Sequence, residues 1–152
     1  MSFDTFTQAG ASAAAIFAIK SAVVAVLQVR ERCNSSTLSN PEDANNFLGF
    51  LFPVLGAGPS FGGPVMIERQ QRITHNNVAN EPIFLALVVA AIAAGVEPAN
   101  GATAIQVYVG SRVLHNVVYL FGSKVNSGLR TGCYLTGLGA MLYLATSTLL
   151  SL

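Results

Sequence analysis

Charge, amide and imidazole side chains crowd together in one stretch of this chain, ERQQRITHNNVANEPIFLA from Glu68 to Ala86. On a helix, Arg69, Arg72, Asn76 and Ala79 follow one another at spacings of three and four and share a face. Two guanidiniums and a carboxamide on one stripe, at the mouth of an apolar segment, can hold a small anion. The same residues also suit a solvated collar closing a membrane helix, and spacing alone leaves both readings open. Further along, Arg112, His115 and Tyr119 share a helical face, and Arg130 and Tyr134 lie one turn apart. Arginine is no general base, because its pKa lies far above neutrality. It binds carboxylates by bidentate pairing and stabilises anions through charge-assisted hydrogen bonds. The chemistry indicated is therefore a site for a polyanionic small molecule, its reactive end near a cation and a phenol. No Ser-His-Asp grouping, glycine-rich phosphate loop or zinc motif accompanies it.

The elements that must position these groups are membrane helices. Of 152 residues, 52% are hydrophobic and 10% charged, and mean hydropathy is +0.54. A soluble domain of this size would carry about 25% charged residues. The apolar residues also form long uncharged runs, which predicts an integral membrane protein, one compact domain over residues 1–152. A net charge of +1, with no basic stripe interleaved with aromatics, argues against a nucleic-acid partner. Cys33 and Cys133 form no CxxC pair and have no histidine at metal-ligand spacing, so they read as two unpaired thiols and no metal is expected.

The first span runs from Phe6 to Val29, broken only by Lys20, which must snorkel or face the bundle interior in a structural role. Asp4 stands where a signal peptide would be basic, and Arg30 and Arg32 follow the apolar run, which suits an uncleaved span. A polar loop covers 33–46, and the Gly- and Pro-rich stretch 47–65 reads as a loop at the membrane surface. The second helix starts near 64–68, kinks at Pro82 and ends near Gly95. Residues 97–101 read as a tight turn, 102–121 as the third helix, 122–129 as a loop and 130–150 as the fourth helix. With four spans, Arg30, Arg32, Arg69, Arg72, Arg112, Lys124 and Arg130 fall toward one membrane face. The other face has Asp4 and Glu97 and no Lys or Arg. The positive-inside rule makes the basic face cytoplasmic and puts both termini on the opposite side. Helix ends there bring Arg32, Arg72, Arg112 and Arg130 to one level, with Asn76, His115, Tyr119 and Tyr134 among them.

At these residues the chain resembles the MAPEG family, the membrane-associated proteins of eicosanoid and glutathione metabolism. It is most similar to the branch of microsomal glutathione transferase and microsomal prostaglandin E synthase. The resemblance covers nearly the whole chain and rests on four matches in order: Asn40-Pro41-Glu42-Asp43, ERxxRxxxN from Glu68 to Asn76, RxxHxxxY from Arg112 to Tyr119, and RTGCY from Arg130 to Tyr134. It implies an all-α fold, a homotrimer of four-helix transmembrane subunits in the endoplasmic reticulum, with glutathione bound between subunits near the cytoplasmic face. By the same resemblance Arg32, with Arg30 as fallback, would hold a glutathione carboxylate. Arg72, Asn76, His115, Tyr119 and Tyr134 would contact glutathione, with Arg112 a packing and pairing residue within the site. Arg130 would stabilise the thiolate, and Asp43 and Thr131 would lie near the reacting groups, Thr131 in place of a serine.

The activity implied is a glutathione transferase attacking an apolar electrophile or lipid hydroperoxide from the bilayer. A glutathione-dependent isomerase of the prostaglandin E synthase type, a peroxidase activity and a non-catalytic lipid-binding scaffold are the alternatives. One position departs from the pattern. The family has NxxE, its Glu holding the glutathione amino group, and here Asn76 is followed by Ala79. Glu81 lies roughly 200° round the helix from Asn76's partner position. Either His75 or Glu81 is reused through a local distortion, or affinity falls by about 1–3 kcal/mol.

Overall fold

The structure, a computed structural model, describes residues 4–35, 63–121 and 127–152. Among these residues it is all-helical, with four helices: α1 (Thr5–Ser35), α2 (Gly63–Ala93), α3 (Pro98–Leu120) and α4 (Ser127–Leu150). Three of them, α1, α2 and α4, are long and apolar enough to cross a membrane. α3 has 23 residues, about 35 Å of helix and long enough to cross. It carries Gln106, Arg112, His115 and Asn116, and falls outside that apolar set. α1 has 31 residues, about 46 Å against a hydrocarbon core of about 30 Å, so its basic end reaches beyond the core.

The helix ends follow from local chemistry. Asp4 Oδ1 accepts a hydrogen bond from the Thr7 N–H at 2.7 Å, capping α1. That bond holds the Asp4 carboxyl below its ordinary pKa. α2 is closed off after Ala93 by Gly95, whose φ of 75° few side chains tolerate. There the Gly95 N–H donates to Ile92 O and the Val96 N–H to Ala91 O, both at 3.1 Å, a Schellman closure. Residues 97–101 do not form the tight turn expected from the sequence. The Glu97 carboxylate instead accepts from the N–H groups of Ala99 and Asn100, at 3.2 and 2.8 Å, and Pro98 opens α3. A proline at the first helical position loses no bond, because that N–H is unpaired in any helix. α1 likewise continues past Arg30 to Ser35, with Arg32 in its last turn, where a cation complements the helix dipole. Pro82 lies inside α2.

The chain divides into two compact units, Met1–Lys20 with Asn76–Leu152, and Ser21–His75. In the larger, α1 presents Phe6, Ala13 and Phe17 at helical spacing, and Lys20 is the next position on that stripe. α2 answers with Glu81, Phe84, Val88 and Ala91, and α3 with Ala104, Ile105 and Tyr108. Ala140 and Leu144 of α4 join the same core. Small residues let helices approach closely where lipid supplies no hydrophobic drive. A Cβ on Gly10 would meet Val88 Cγ1 at 3.0 Å, and one on Gly101 would lie 2.5 Å from the Phe6 ring. Outward residues such as Ile19, Ile83, Val89 and Leu149 are apolar and exposed, as a lipid-facing surface requires. In the smaller unit, Val24, Ile67 and Ile73 are buried apolar residues, and Glu31 and Gln70 are buried polar ones.

Candidate functional site

Two cation–aromatic stacks join α3 to α4, which pack directly on each other. The Arg130 guanidinium, in the first turn of α4, lies 5.0 Å from the centre of the Tyr119 ring. That ring is 5.4 Å from the imidazole of His115, which is buried one turn earlier on α3. Arg130 is half-buried and engages no carboxylate among the described residues. Deeper in α3, the Arg112 guanidinium is held between the rings of Tyr108, at 5.0 Å, and Tyr134, at 5.2 Å. Such contacts attract a cation to the ring face. Arg112, His115, Tyr119, Arg130 and Tyr134 thus gather on facing sides of α3 and α4. Thr131 is exposed next to Arg130.

On α2, Asn76 is half-buried. Its backbone oxygen and its Oδ1 both accept from Asn80 Nδ2, at 2.7 and 2.8 Å. Ala79 is exposed. Glu81 is buried in an ion pair with Lys20 of α1, and Lys20 also donates to Asn77 Oδ1 at 3.3 Å. Lys20 therefore faces the interior in a structural pair. Its carboxylate partner is already engaged and does not substitute for the one missing at position 79.

Three further predicted residues belong to the smaller unit. Arg72 is exposed and ion-paired with Glu68 one turn earlier, at 2.5 Å. His75 is exposed and Arg32 half-buried. Asp43 lies outside the described residues. Cys33 and Cys133 are free thiols.

The sequence reading missed Tyr108 and Asn116, although both lie four residues from Arg112 on the same helical face. Tyr108 is fully buried, stacks on Phe84 at 3.6 Å and donates its hydroxyl to Asn80 O at 3.3 Å. It also missed Gly137, where a Cβ would meet Ser111 Oγ at 2.7 Å and Arg112 Nε at 3.1 Å. A side chain there would make Ser111 Oγ and Arg112 give way. No residue pattern within α4 announces this, because the requirement comes from the facing helix.

A comparison with curated proteins found no match. The MAPEG family model matches residues 10–150, which takes in most of α1, all of α2, α3 and α4, and every residue of the two cation–aromatic stacks. Members of that family generally use glutathione and include glutathione transferases and related enzymes. On this match over nearly its whole length, the chain belongs to the MAPEG family and is a multi-pass integral membrane protein.

Proposed function

We propose that this protein is a membrane-bound glutathione transferase acting on an apolar electrophile or lipid hydroperoxide that arrives from the bilayer. The observation that carries the reading is Arg130, a cation with no carboxylate partner among the described residues, set against Tyr119 and His115. The larger unit alone offers groups that suit glutathione: the Asn76 amide for its peptide groups, and a cation and a phenol for its sulfur. Bound there, glutathione supplies a thiol that as thiolate bonds to the electrophilic atom. Arg130 favours the anion electrostatically; at pH 7 a free thiol with pKa about 8.5 is only a few per cent ionised. Tyr119 orients Arg130 through its ring, and His115 fixes Tyr119. Arg32 and Arg72 are proposed carboxylate contacts, with Tyr134 beside the sulfur and Asp43 and Thr131 near the reacting groups.

Conjugation of glutathione to a chromogenic aryl halide by the purified protein tests this. Arg130→Ala is expected to lower kcat/KM about tenfold or more. Full turnover in that variant removes Arg130 from the chemistry. A second reading, a lipid-binding scaffold without thiol chemistry, is favoured by one observation: Ala79 offers no carboxylate and Glu81 is committed to Lys20. Absence of glutathione binding would select it.

A further inference from the structure

Within the larger unit, α1 and α3 frame a furrow of about 470 Å³ that is open at the surface. Thr5, Gln8 and Ser12 line it from α1, and Gln106 and Gly110 from α3. Spacings of three and four put Thr5, Gln8 and Ser12 on one stripe of their helix. All four polar side chains are exposed. Those of Thr5, Ser12 and Gln106 have no hydrogen-bond partner among the described residues. Behind them the wall is apolar, with Ala13 and Ile105 buried.

Polar groups in this place need an answer. Ser12 lies seven residues into α1 and Gln106 eight into α3, about 10 and 12 Å from the helix starts. At that depth a bilayer offers hydrocarbon, where an unmet hydroxyl or carboxamide is costly. The furrow is also separate from the stacks that join α3 to α4. Gln106 stands nine residues before His115, about 14 Å along α3 and roughly half a turn round it.

Charge and hydrogen bonding narrow the occupant. No ionisable side chain lines the furrow among the described residues. An anionic head would meet no cation there, and a cationic one would find at the mouth only Asp4, which already caps α1. Carboxamides and hydroxyls both donate and accept, so they suit an uncharged head that does the same. Hydroxyl and ester groups meet that requirement, and the apolar wall suits an acyl chain. The volume falls within the about 300–1,000 Å³ of small-molecule sites. We propose that the furrow between α1 and α3 binds an uncharged acyl lipid with a hydroxyl- and ester-bearing head, of the monoacylglycerol class. The proposal goes beyond the transferase reading and stands without it.

The test titrates the full chain, purified in detergent, with monooleoylglycerol, methyl oleate and oleate, and counts retained lipid by native mass spectrometry. Monooleoylglycerol is expected to bind about tenfold more tightly than either of the others. Gln106→Leu places an apolar side chain on an exposed membrane position and should fold; it is expected to erase most of that preference, and Ser12→Ala to reduce it several-fold. Gly110→Leu tests the space itself. A Cβ at Gly110 meets nothing within 4 Å, so a longer side chain enters the furrow without disturbing the packing. It should weaken monooleoylglycerol about tenfold or more. Equal binding of monooleoylglycerol and methyl oleate overturns the proposal, as does tighter binding of oleate or binding that survives Gly110→Leu. A changed oligomeric mass in Gln106→Leu with lipid binding intact gives the furrow to a neighbouring copy and also overturns it. Glutathione binding is expected to be the same in all three variants, so a failure of the transferase reading is told apart from a failure here.

Discussion

Arg112 and Arg130 share a residue type and differ in surroundings, and the difference assigns them different work. Arg130 is half-buried at a helix start, beside the Tyr119 ring. Arg112 is walled in by Tyr108, Tyr134 and the close approach of α4 at Gly137. Gly137→Ala is expected to cost about 1–3 kcal/mol by overpacking, read as a lower thermal midpoint in detergent, and to displace Arg112. An unchanged midpoint would mean that the α3–α4 approach is looser than described. Position 79 gives a second prediction at this scale. Ala79→Glu would restore a carboxylate on the Asn76 face, and glutathione affinity should rise roughly tenfold, equivalent to about 1.4 kcal/mol. Calorimetric titration would show it, and no gain would mean that the amino group is held elsewhere.

At the scale of elements, Lys20 and Glu81 tie α1 to α2 within the larger unit. Removing one partner strands a buried charge and should cost about 3–5 kcal/mol, whereas replacing both with apolar residues of similar volume should cost far less. Thermal unfolding of Lys20→Met, Glu81→Leu and the double variant checks this. Additive losses would show that the pair is not coupled. Lys20's structural role was legible, but the sequence left open whether it snorkels or turns inward; the structure turns it inward, on the stripe of Phe6, Ala13 and Phe17. Its partner was not legible, since pairing of residues 61 apart depends on how two helices pack. The start of α3 was readable but misread: Glu97 followed by Pro98 is a helix-start signal as well as a turn signal. Gly95 carries the real break, and Gly95→Ala should cost about 1–2 kcal/mol for its left-handed backbone.

For the whole molecule, membrane class and helix count were legible from apolar runs, and the family from four short motifs in order. The aromatic surroundings of Arg112 were not legible, because they depend on how α3 packs against α4. We propose that the basic face is cytoplasmic. Glycosylation acceptor sites appended at either terminus of the chain should then be modified in microsomes, and sites at both ends left bare would reverse the orientation. The central claim is that Arg130 stabilises an ionised thiol. Ultraviolet difference absorbance of the purified protein on adding glutathione at neutral pH tests it most directly, with Arg130→Ala alongside. A thiolate band present in the wild type and lost in the variant is the predicted result. Measurable glutathione binding with no band, or a band that persists in Arg130→Ala, would contradict it.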